Sequence, residues 1–525
     1  MIKTCPFCKA EIESSLVRHI KAEHGEETLR KAVLLDKRNG TTDAQLGGKY
    51  GISFNYLEKA ITQEYGTNVS TIARKKTKIA RWEPKDFQPE TTTVWSFKNR
   101  GKWATHDGRY RGNWSPYIPR NLILQYSQPR ELVLDYFSGG GTTAVEATLL
   151  GRRCIARDIN PDALALTKDN LDFQMPQDMF SGNGKSNFQP ELVLGDAREL
   201  SPLENDSVDL ICAHPPYAGI INYSANAVDG DLSSLSVPEF IVEVQKIAQE
   251  SFRVLKAGRQ CAILIGDSRK SKHIIPIGFR TIRAFLNAGF TLRELIIKRQ
   301  HNCKTTGFWY SNSIRYNFLL LAHEFLPVFE KAAEARIVAE GKQLGWLTDL
   351  EMRQTVETVE RIEKERLETT SVWIFPTNRM REEIRRNLLN RFAKAGESIL
   401  EFEWGKIAAS SDVPCHSLAY IHCPPPSVLA TGLDPQTQLS ILDETVAKAE
   451  KHLTRDGFCV VEARDFRKDG DLIPMGLLSY EHLENCGLEL REIVIVTNEE
   501  NQPFEPPPAG CLGITHKYLL IYRKP

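Results

Sequence analysis

The sequence predicts an α/β protein: a doubly wound sheet, preceded by a small helical region and followed by a shortened repeat of the same sheet. Residues 131–160 read as strand, glycine turn, helix and strand, which is the pattern of a βαβ unit. Later segments repeat the first half in register. The first 25 residues carry paired cysteines and histidines on a short helical pattern.

Composition limits the functional classes. The 525 residues suggest two to four domains, and 67 basic residues balance 67 acidic ones, so nucleic-acid binding would need local patches. The eleven cysteines are scattered and odd in number, which favours a reducing compartment over a disulfide framework. With no charged-then-apolar leader and no apolar stretch near ~18 residues, we expect a cytoplasmic protein with no membrane partner.

The N-terminal residues 1–25 predict a C2H2-like zinc site. Two thiolates and two imidazoles at this spacing can form a tetrahedron around Zn²⁺, with a helix over residues 14–23. The alternative is free cysteines near unrelated histidines. The predicted ligands are Cys5, Cys8, His19 and His24.

Residues 26–85 predict a helix-turn-helix domain. Thr42 would cap the first helix, Gly51 would permit the turn, and Ser53 would cap the second helix. Any helical hairpin would give the same pattern. A basic strip at residues 74–81 follows and suits contact with phosphates. The predicted small core consists of Ala44, Leu46, Ile52, Leu57 and Ile61.

The glycine turn at residues 138–141 follows an apolar strand and predicts a nucleotide-type cofactor site. Glycine lets the backbone approach a ligand closely, and the next helix offers free N–H groups. Asp158, at the tip of the following strand, suits a ribose diol. A nicotinamide dinucleotide would fit the same pattern, Asp158 would also suit a helix cap, and a turn without any ligand stays open.

A second motif, His214-Pro215-Pro216-Tyr217, ends a later apolar strand. The two prolines make this corner rigid, so the carbonyls point in fixed directions and Tyr217 is presented at one place. Such a corner suits a flat base with an amino group, although simple packing of the tyrosine is the alternative. Residues 95–120 add six cationic and several aromatic side chains, which suit either a stacking groove or packing over the sheet.

The motifs FSGGGTT (137–143) and HPPY (214–217) together resemble the S-adenosylmethionine-dependent amino-methyltransferases of DNA, which methylate N6 of adenine or N4 of cytosine. The resemblance implies a class I (Rossmann-like) methyltransferase sheet in residues 90–328, with S-adenosylmethionine as cofactor. His214 departs from the family, which usually has Asp, Asn or Ser there. The implied cofactor residues are Asp135, Phe137, Gly139, Gly141, Thr142 and Thr143 on the methionine side, Asp158 at the ribose and Asp196 at the adenine. The implied catalytic residues are His214 and the Pro215 carbonyl on the amino group, the stiffening Pro216, and Tyr217 stacked on the base. The strands are expected to begin near Leu132, Cys154, Leu192, Val208, Cys261, Leu292 and Tyr316.

The resemblance also implies a role. The base would be flipped out of double-stranded DNA and its amino nitrogen would attack the sulfonium methyl directly. We expect a nucleoid-associated protein that works alone or beside a separate restriction or defence partner. An RNA amino-methyltransferase and a non-catalytic DNA-binding regulator are the alternatives.

The second half repeats the first without its chemistry. The segment from Cys459 to Gly476 matches that from Cys261 to Gly278 without a gap. The glycine turn is replaced by Glu403-Trp-Gly-Lys-Ile, and the corner motif His214-Pro-Pro-Tyr217 by Cys423-Pro-Pro-Pro426. We therefore predict a helical linker at 329–368 and a degenerate, non-catalytic domain at 369–525 that packs on the first as a pseudo-dimer, either helping to hold DNA or serving as structural support.

Overall fold

The computed structural model describes most of the chain. The described residues are 3–12, 15–39, 41, 43–53, 56–57, 60, 79–106, 112–175, 188–217, 230–301, 312–333, 352–357, 367–394, 399–404, 415–424, 434–468 and 470–525. The predicted cap Thr42, the predicted core residue Ile61, most of the basic strip and most of the linker lie outside these ranges.

The N-terminal region is one small folded unit. Its elements are the strands β1 (Lys3–Thr4) and β2 (Glu11–Ile12) and the helices α1 (Leu16–His24), α2 (Glu26–Arg38) and α3 (Asp43–Tyr50). Helix α1 begins two residues later than expected, because Ser15 is extended (φ −82°, ψ 110°). Gly51 adopts the left-handed conformation (φ 68°), and Ser53 Oγ accepts from the Tyr56 N–H as a cap would. Cys5 shares one apolar cluster with Leu46 of α3, so the cysteine motif and the helices are packed together.

The first large sheet has eight strands and carries the fold class. Its strands are β3 (Val94–Ser96), β4 (Leu132–Asp135), β5 (Arg153–Asp158), β6 (Glu191–Leu194), β7 (Val208–Ala213), β8 (Leu255–Ile263), β11 (Thr291–Arg299) and β12 (His323–Glu330); the short hairpin β9 (Ser268–Lys270) and β10 (His273–Ile275) lies between β8 and β11. The order across the sheet is β3-β11-β12-β8-β7-β4-β5-β6, and only β12 runs antiparallel to its neighbours. This doubly wound order confirms the predicted class I methyltransferase sheet.

Helices cover both faces of this sheet. They are α4 (Tyr117–Tyr126), α5 (Thr142–Leu149), α6 (Pro161–Leu171), α7 (Val237–Val254) and α8 (Ile277–Asn287). Val133 packs in the cluster that contains residues of α4 and α5, whereas the next residue, Leu134, packs with residues of α7 and α8. Among the described residues, no helix is both long and apolar enough to cross a bilayer.

The second sheet is a shortened copy of the first. Its strands are β13 (Met352–Glu357), β14 (Val372–Phe375), β15 (Ile399–Trp404), β16 (His416–Ile421), β17 (Leu453–Ala463), β20 (Glu489–Asn498) and β21 (His516–Arg523), with the hairpin β18 (Phe466–Lys468) and β19 (Asp471–Ile473) and the helices α9 (Met380–Phe392), α10 (Pro435–Lys451) and α11 (Met475–His482). From β15 onward, the order β15-β16-β17-β21-β20-β14 reproduces the order β4-β7-β8-β12-β11-β3 of the first sheet. Antiparallel β13 pairs with β15, at the edge where the first sheet has β5. The predicted truncated repeat of the fold is therefore confirmed. The predicted helical linker at 329–368 is wrong for residues 352–357, which form a strand of the second sheet.

The sheet register corrects one detail of the repeat. The equivalent ladder pairs are Ala213 with Ile263 and Ile421 with Val461. The residues that follow these strands are His214 and His422, so His422 stands at the position of His214. The sequence comparison wrongly set Cys423 opposite His214, because it aligned the prolines rather than the strands.

The two halves are related by a pseudo-two-fold interface. Arg269 of the first half pairs with Glu492 of the second at 2.5 Å, and the equivalent Arg467 pairs with Glu294. Each glutamate also accepts a backbone N–H, from Leu319 in one case and from Leu512 in the other. Reciprocal contacts of this kind are the mark of an isologous interface.

The strand prediction missed two starts, and this interface explains one of them. β8 begins at Leu255 rather than near Cys261. The last strand of the first sheet begins at His323, not near Tyr316. The apolar residues before it serve the other half: Leu319 is buried in the second half's core, and Leu320 forms a bridge with Thr370. Because apolar runs are the main signal for strands, an interface segment of this kind resembles the start of a strand.

Candidate functional site

The glycine turn and the His-Pro-Pro corner open into one cavity. They follow β4 and β7, which are neighbours in the sheet although their chain connections leave in opposite directions. Ligands bind at such a switch point, outside the carboxyl ends of the strands. The cavity measures about 790 Å³, part of it open to solvent. Phe137 and Gly139 line one wall, and His214 and Pro216 line another.

Steric crowding explains the glycines of the turn. Gly140 donates its N–H to Asn113 Oδ1 at 3.0 Å, and a Cβ on Gly140 would lie 2.4 Å from Asn113 Nδ2. Gly141 has φ 77°, and its Cβ would lie 2.6 Å from Thr167 Cγ2. Neither position can take a side chain without moving its neighbours, so the close packing of the turn against Asn113 and Thr167 requires glycine at both.

Asp158 fixes the turn and faces the cavity. Its Oδ2 accepts from the Gly139 N–H at 2.8 Å and its Oδ1 from the Asn160 N–H at 2.9 Å. Burial raises the pKa of Asp158 to about 6. The alternative role as a helix cap is wrong, because Asn160 caps α6 by accepting from the Asp162 N–H.

Asp196 lines the same cavity and is held by an arginine. Both its oxygens accept from the Arg198 guanidinium, which also reaches Glu243 at 2.7 Å. Burial alone would raise the pKa of Asp196, but the hydrogen bonds from Arg198 bring it below the ordinary value. Asp231, which the sequence did not single out, lines the cavity as well.

Several predicted cofactor residues lie behind the turn rather than on the cavity wall. Asp135 is 3% exposed, accepts from the Phe137 N–H at 3.0 Å, and has its pKa raised to about 7 by burial. Other residues that were predicted to hold the cofactor share this position behind the turn, so their contact with a cofactor stays a prediction. The residues absent from the described lining are Asp135, Gly141, Thr142, Thr143 and, on the corner, Pro215.

A second cavity lies beside the first and shares part of its wall. It measures about 1430 Å³, partly open to solvent. Asn113, Trp114 and His214 line both cavities, and the His214 ring stacks on Trp114 with centroids 5.8 Å apart. Tyr217 lines the second cavity and is absent from the described wall of the first. The corner motif therefore forms the boundary between the two spaces.

A chain of hydrogen bonds runs from this boundary into the sheet. Tyr217 donates its hydroxyl to Glu324 Oε1 at 2.7 Å, and Lys298 Nζ lies 2.6 Å from Glu324 Oε2. His214 Nε2 lies 3.0 Å from the Tyr217 hydroxyl. Since that hydroxyl proton goes to Glu324, its oxygen accepts from Nε2–H, which leaves Nδ1 of a neutral ring as the acceptor.

The protonation states along this chain of hydrogen bonds follow from burial and from the charge of Lys298. Burial alone would raise the pKa of Glu324, but the Lys298 ammonium lowers it to about 2. Burial lowers the pKa of His214 to about 4, with Lys298 and Arg100 adding to the effect and Glu324 opposing it. At neutral pH the glutamate is therefore charged and the imidazole is neutral. Sequence reasoning missed Glu324 and Lys298; the available signal was an acid inside the apolar run 323–329.

The aromatic and cationic segment at 95–120 divides between two roles. Trp95, Trp103 and Trp114 are at most 5% exposed, so they pack over the sheet. Arg100 donates to the carbonyls of Asn113 and Trp114. Besides Trp114, His214 and Tyr217, the aromatic and basic residues on the described wall of the second cavity include Phe97, Lys98, Arg100, Lys298, Arg299 and His301.

The four predicted zinc ligands converge. Their ligand atoms all lie within 4.8 Å of one another. Cys5 Sγ lies 3.5 Å from His24 Nε2, and Cys8 Sγ lies 3.3 Å from His19 Nε2. Tetrahedral Zn²⁺ with ordinary bond lengths needs sulfur–nitrogen separations of about 3.5 Å. The donor set and its spacing therefore fit zinc.

Comparisons with known proteins agree with this interpretation. A family model described as DNA methylase matches residues 37–169, a segment that contains the glycine turn and Asp158 and ends before His214. The Type II methyltransferase M1.MboII of Moraxella bovis is 30% identical over 146 residues, which cover 24% of this chain and 56% of that protein. The chain thus spans about half the length of this relative. The predicted resemblance to DNA amino-methyltransferases is confirmed.

Solved structures with similar folds include methyltransferases from several organisms. A putative DNA modification methylase of Thermus thermophilus, complexed with S-adenosyl-L-methionine, is 22% identical over 28% of this chain and 55% of its own, with a TM-score of 0.20. A SAM-dependent methyltransferase of Methanosarcina mazei is 18% identical over 40% of this chain and 97% of its own, with a TM-score of 0.28.

Proposed function

We propose that this protein transfers a methyl group from S-adenosylmethionine to the exocyclic amino group of a base flipped out of double-stranded DNA, at N4 of cytosine or N6 of adenine. The observation that carries the proposal is the shared boundary: His214 lines both the cavity with the glycine turn and the cavity with Tyr217. A donor and an acceptor bound in these two spaces would meet at His214.

The first cavity suits the cofactor. S-adenosylmethionine, when bound, supplies an electrophilic sulfonium methyl. Asp158, charged above pH 6, would hold the ribose hydroxyls, and Asp196 would approach the adenine. Phe137 and Gly139 would lie along the amino-acid end. Asp135 and the Thr142–Thr143 pair act from behind, by fixing the turn that carries these contacts.

The second cavity suits the target base. Neutral His214 would accept one amino hydrogen at Nδ1. The other predicted acceptor, the Pro215 carbonyl, belongs to a residue that is on the described wall of neither cavity. Tyr217, fixed by Glu324, offers an aromatic ring to the base. Extracting a base from a duplex costs a few kcal/mol, which the cationic wall near Lys98 and Arg299 would help to recover through phosphate contacts.

The N-terminal unit would read DNA. Zinc held by Cys5, Cys8, His19 and His24 would stabilise a segment too small to fold alone. Removing it with a chelator should unfold residues 3–57 and weaken DNA binding, while methyl-donor binding is unaffected. Metal analysis giving no zinc, together with a harmless Cys5→Ser substitution, would contradict this part. The protein would act on cytoplasmic, nucleoid DNA, alone or beside a separate restriction or defence partner.

Methyl transfer from tritiated S-adenosylmethionine to duplex DNA and to RNA tests the proposal. We expect label in DNA, recovered as N6-methyladenine or N4-methylcytosine by nucleoside analysis, and loss of label in His214→Ala. Label in RNA alone would favour an RNA methyltransferase. Normal DNA binding without any binding of S-adenosylmethionine would favour a non-catalytic regulator.

A further inference from the structure

The second half contains a polar bridge, in which a buried tyrosine hydroxyl joins an acid to a histidine. Tyr518 donates its hydroxyl to Asp465 Oδ2 at 2.9 Å, and His516 Nε2 lies 2.8 Å from the Tyr518 hydroxyl oxygen. His516 Nδ1 lies 2.8 Å from Thr93 Oγ1, which also accepts from the Thr515 N–H. The hydroxyl thus joins the acid to the histidine, and all three side chains of the bridge are buried.

The first half carries the same arrangement without its central hydroxyl. Asp267, His323 and Phe325 occupy the positions of Asp465, His516 and Tyr518. The rings of Phe325 and Tyr518 are placed alike, because a Cβ on the equivalent Gly278 or Gly476 would meet Cδ2 of the respective ring at 2.3 or 2.5 Å. Phenylalanine in place of tyrosine removes the one group that would join the acid to the histidine.

Two buried polar atoms are consequently left open. Asp267 Oδ2 and His323 Nε2 have no hydrogen-bond partner among the described residues, and they lie 3.9 Å apart. The side chains of Asp267 and His323 are 1% and 0% exposed, and both residues belong to the described wall of the second cavity. Leaving such groups unpaired destabilises a fold, so a buried pair in a cavity wall points to a ligand that completes it when the wall opens.

The direction of the missing hydrogen bonds can be assigned. Ser371 Oγ accepts from the Ala322 N–H at 2.9 Å and lies 2.8 Å from His323 Nδ1. In the second half the Tyr518 hydroxyl donates to Asp465 and so accepts from His516 Nε2–H, which leaves His516 Nδ1 to accept from Thr93. The same tautomer in the equivalent His323, with Ser371 donating to Nδ1, places the ring's N–H on Nε2. Asp267 Oδ1 accepts from the Gly278 N–H, which leaves Oδ2 open. The pair therefore offers one donor and one acceptor side by side.

We propose that Asp267 and His323 form a recognition subsite for the edge of the target base. His323 Nε2–H would donate to a ring nitrogen, and Asp267 Oδ2 would accept from a neighbouring N–H, a pattern that the amino-bearing edges of adenine and cytosine supply. Burial raises the pKa of Asp267 to about 7, so the acid accepts best above neutral pH. The subsite rests on the proposed function and adds its specificity-determining contacts.

Two single substitutions, one at Phe325 and one at the equivalent Tyr518, test the subsite. Phe325→Tyr should place a hydroxyl between Asp267 and His323, raise the melting temperature, and weaken binding of adenosine or cytidine at least about 10-fold, as loss of a buried hydrogen bond predicts. Tyr518→Phe is the matched control: it opens the same gap in the second half, so it should lower the melting temperature and leave nucleoside binding unchanged. Saturation-transfer NMR titrations with each nucleoside give the affinities.

Each result decides between alternatives. A Phe325→Tyr variant that is stabilised but binds nucleosides like the wild type would overturn the subsite, and so would a wild type that binds neither nucleoside. An unchanged melting temperature of Phe325→Tyr would mean that its hydroxyl does not bridge Asp267 and His323. That result would overturn the inference that these two side chains leave an open hydrogen-bonding position. A wild type that binds a nucleoside through this pair yet methylates no DNA would leave the subsite standing and overturn the proposed function alone.

Discussion

The positioning role of Glu324 can be separated from its stabilising role by comparison with a glutamate in the other half. Burial opposes the charge of Glu324, but the Lys298 ammonium and the Tyr217 hydroxyl bring its pKa from an ordinary 4.5 to about 2. At about 1.4 kcal/mol per unit, the charged form contributes about 3 kcal/mol to folding, in full above pH 4.5 and progressively lost as pH falls towards 2. Glu324→Gln should therefore destabilise the protein by about 3 kcal/mol at neutral pH. It should also lower kcat for methyl transfer by about 10- to 100-fold, because Tyr217 and His214 lose their fixed orientation.

Glu462 supplies the control. It is buried like Glu324, its pKa is likewise lowered to about 2, with Lys517 as the main opposing charge, and it accepts from the Tyr420 hydroxyl. Glu462→Gln should cost similar stability in urea unfolding and leave kcat unchanged. The positioning role of Glu324 would be refuted if both variants lost kcat equally, or if Glu324→Gln kept full kcat despite its lower stability.

Three other perturbations have measurable outcomes. Binding of S-adenosylmethionine, measured by calorimetry, should weaken as pH falls through about 6, because Asp158 becomes protonated. Since burial favours the protonated acid, the stabilising contribution of Asp158 to folding runs the other way and is lost as pH rises through 6. Cofactor binding that is flat from about pH 5 to 8 would contradict the role of Asp158. Glu492→Gln and Glu294→Gln should each destabilise the protein by about 3–5 kcal/mol in denaturant unfolding, since each leaves a largely buried arginine without its counter-charge. Clearly unequal losses of stability would argue against the pseudo-two-fold relation. Titration should find one S-adenosylmethionine per chain, because the second half lacks the glycine turn. Two equivalent sites would disprove the prediction that only the first half binds the cofactor.

The local parts of the site were predictable from the sequence. A glycine turn is determined by steric limits on a few neighbouring residues, as the close approach of Asn113 to Gly140 illustrates. The meeting of the turn with His214 also followed, because parallel strands bring their carboxyl ends to one edge of the sheet. Asp158 and Asp196 reached the cavity for the same reason.

The parts that depend on distant pairing were not predictable. Glu324 and Lys298 lie on antiparallel neighbours, β12 and β11, and their relation to Tyr217 exists only once the sheet is assembled. Arg269 likewise pairs with Glu492 across the internal interface, a partner more than two hundred residues away along the chain. No short-range pattern distinguishes an arginine that binds phosphate from one that holds two halves together.

The reciprocal arginine pairs restrict how this architecture could have been simplified. A chain ending after Glu330 would keep every residue assigned to methyl transfer, yet Glu294 would lose its guanidinium and Leu319 would lose the core that buries it. The second half therefore supports the first through its scaffold, although it lacks the residues assigned to methyl transfer.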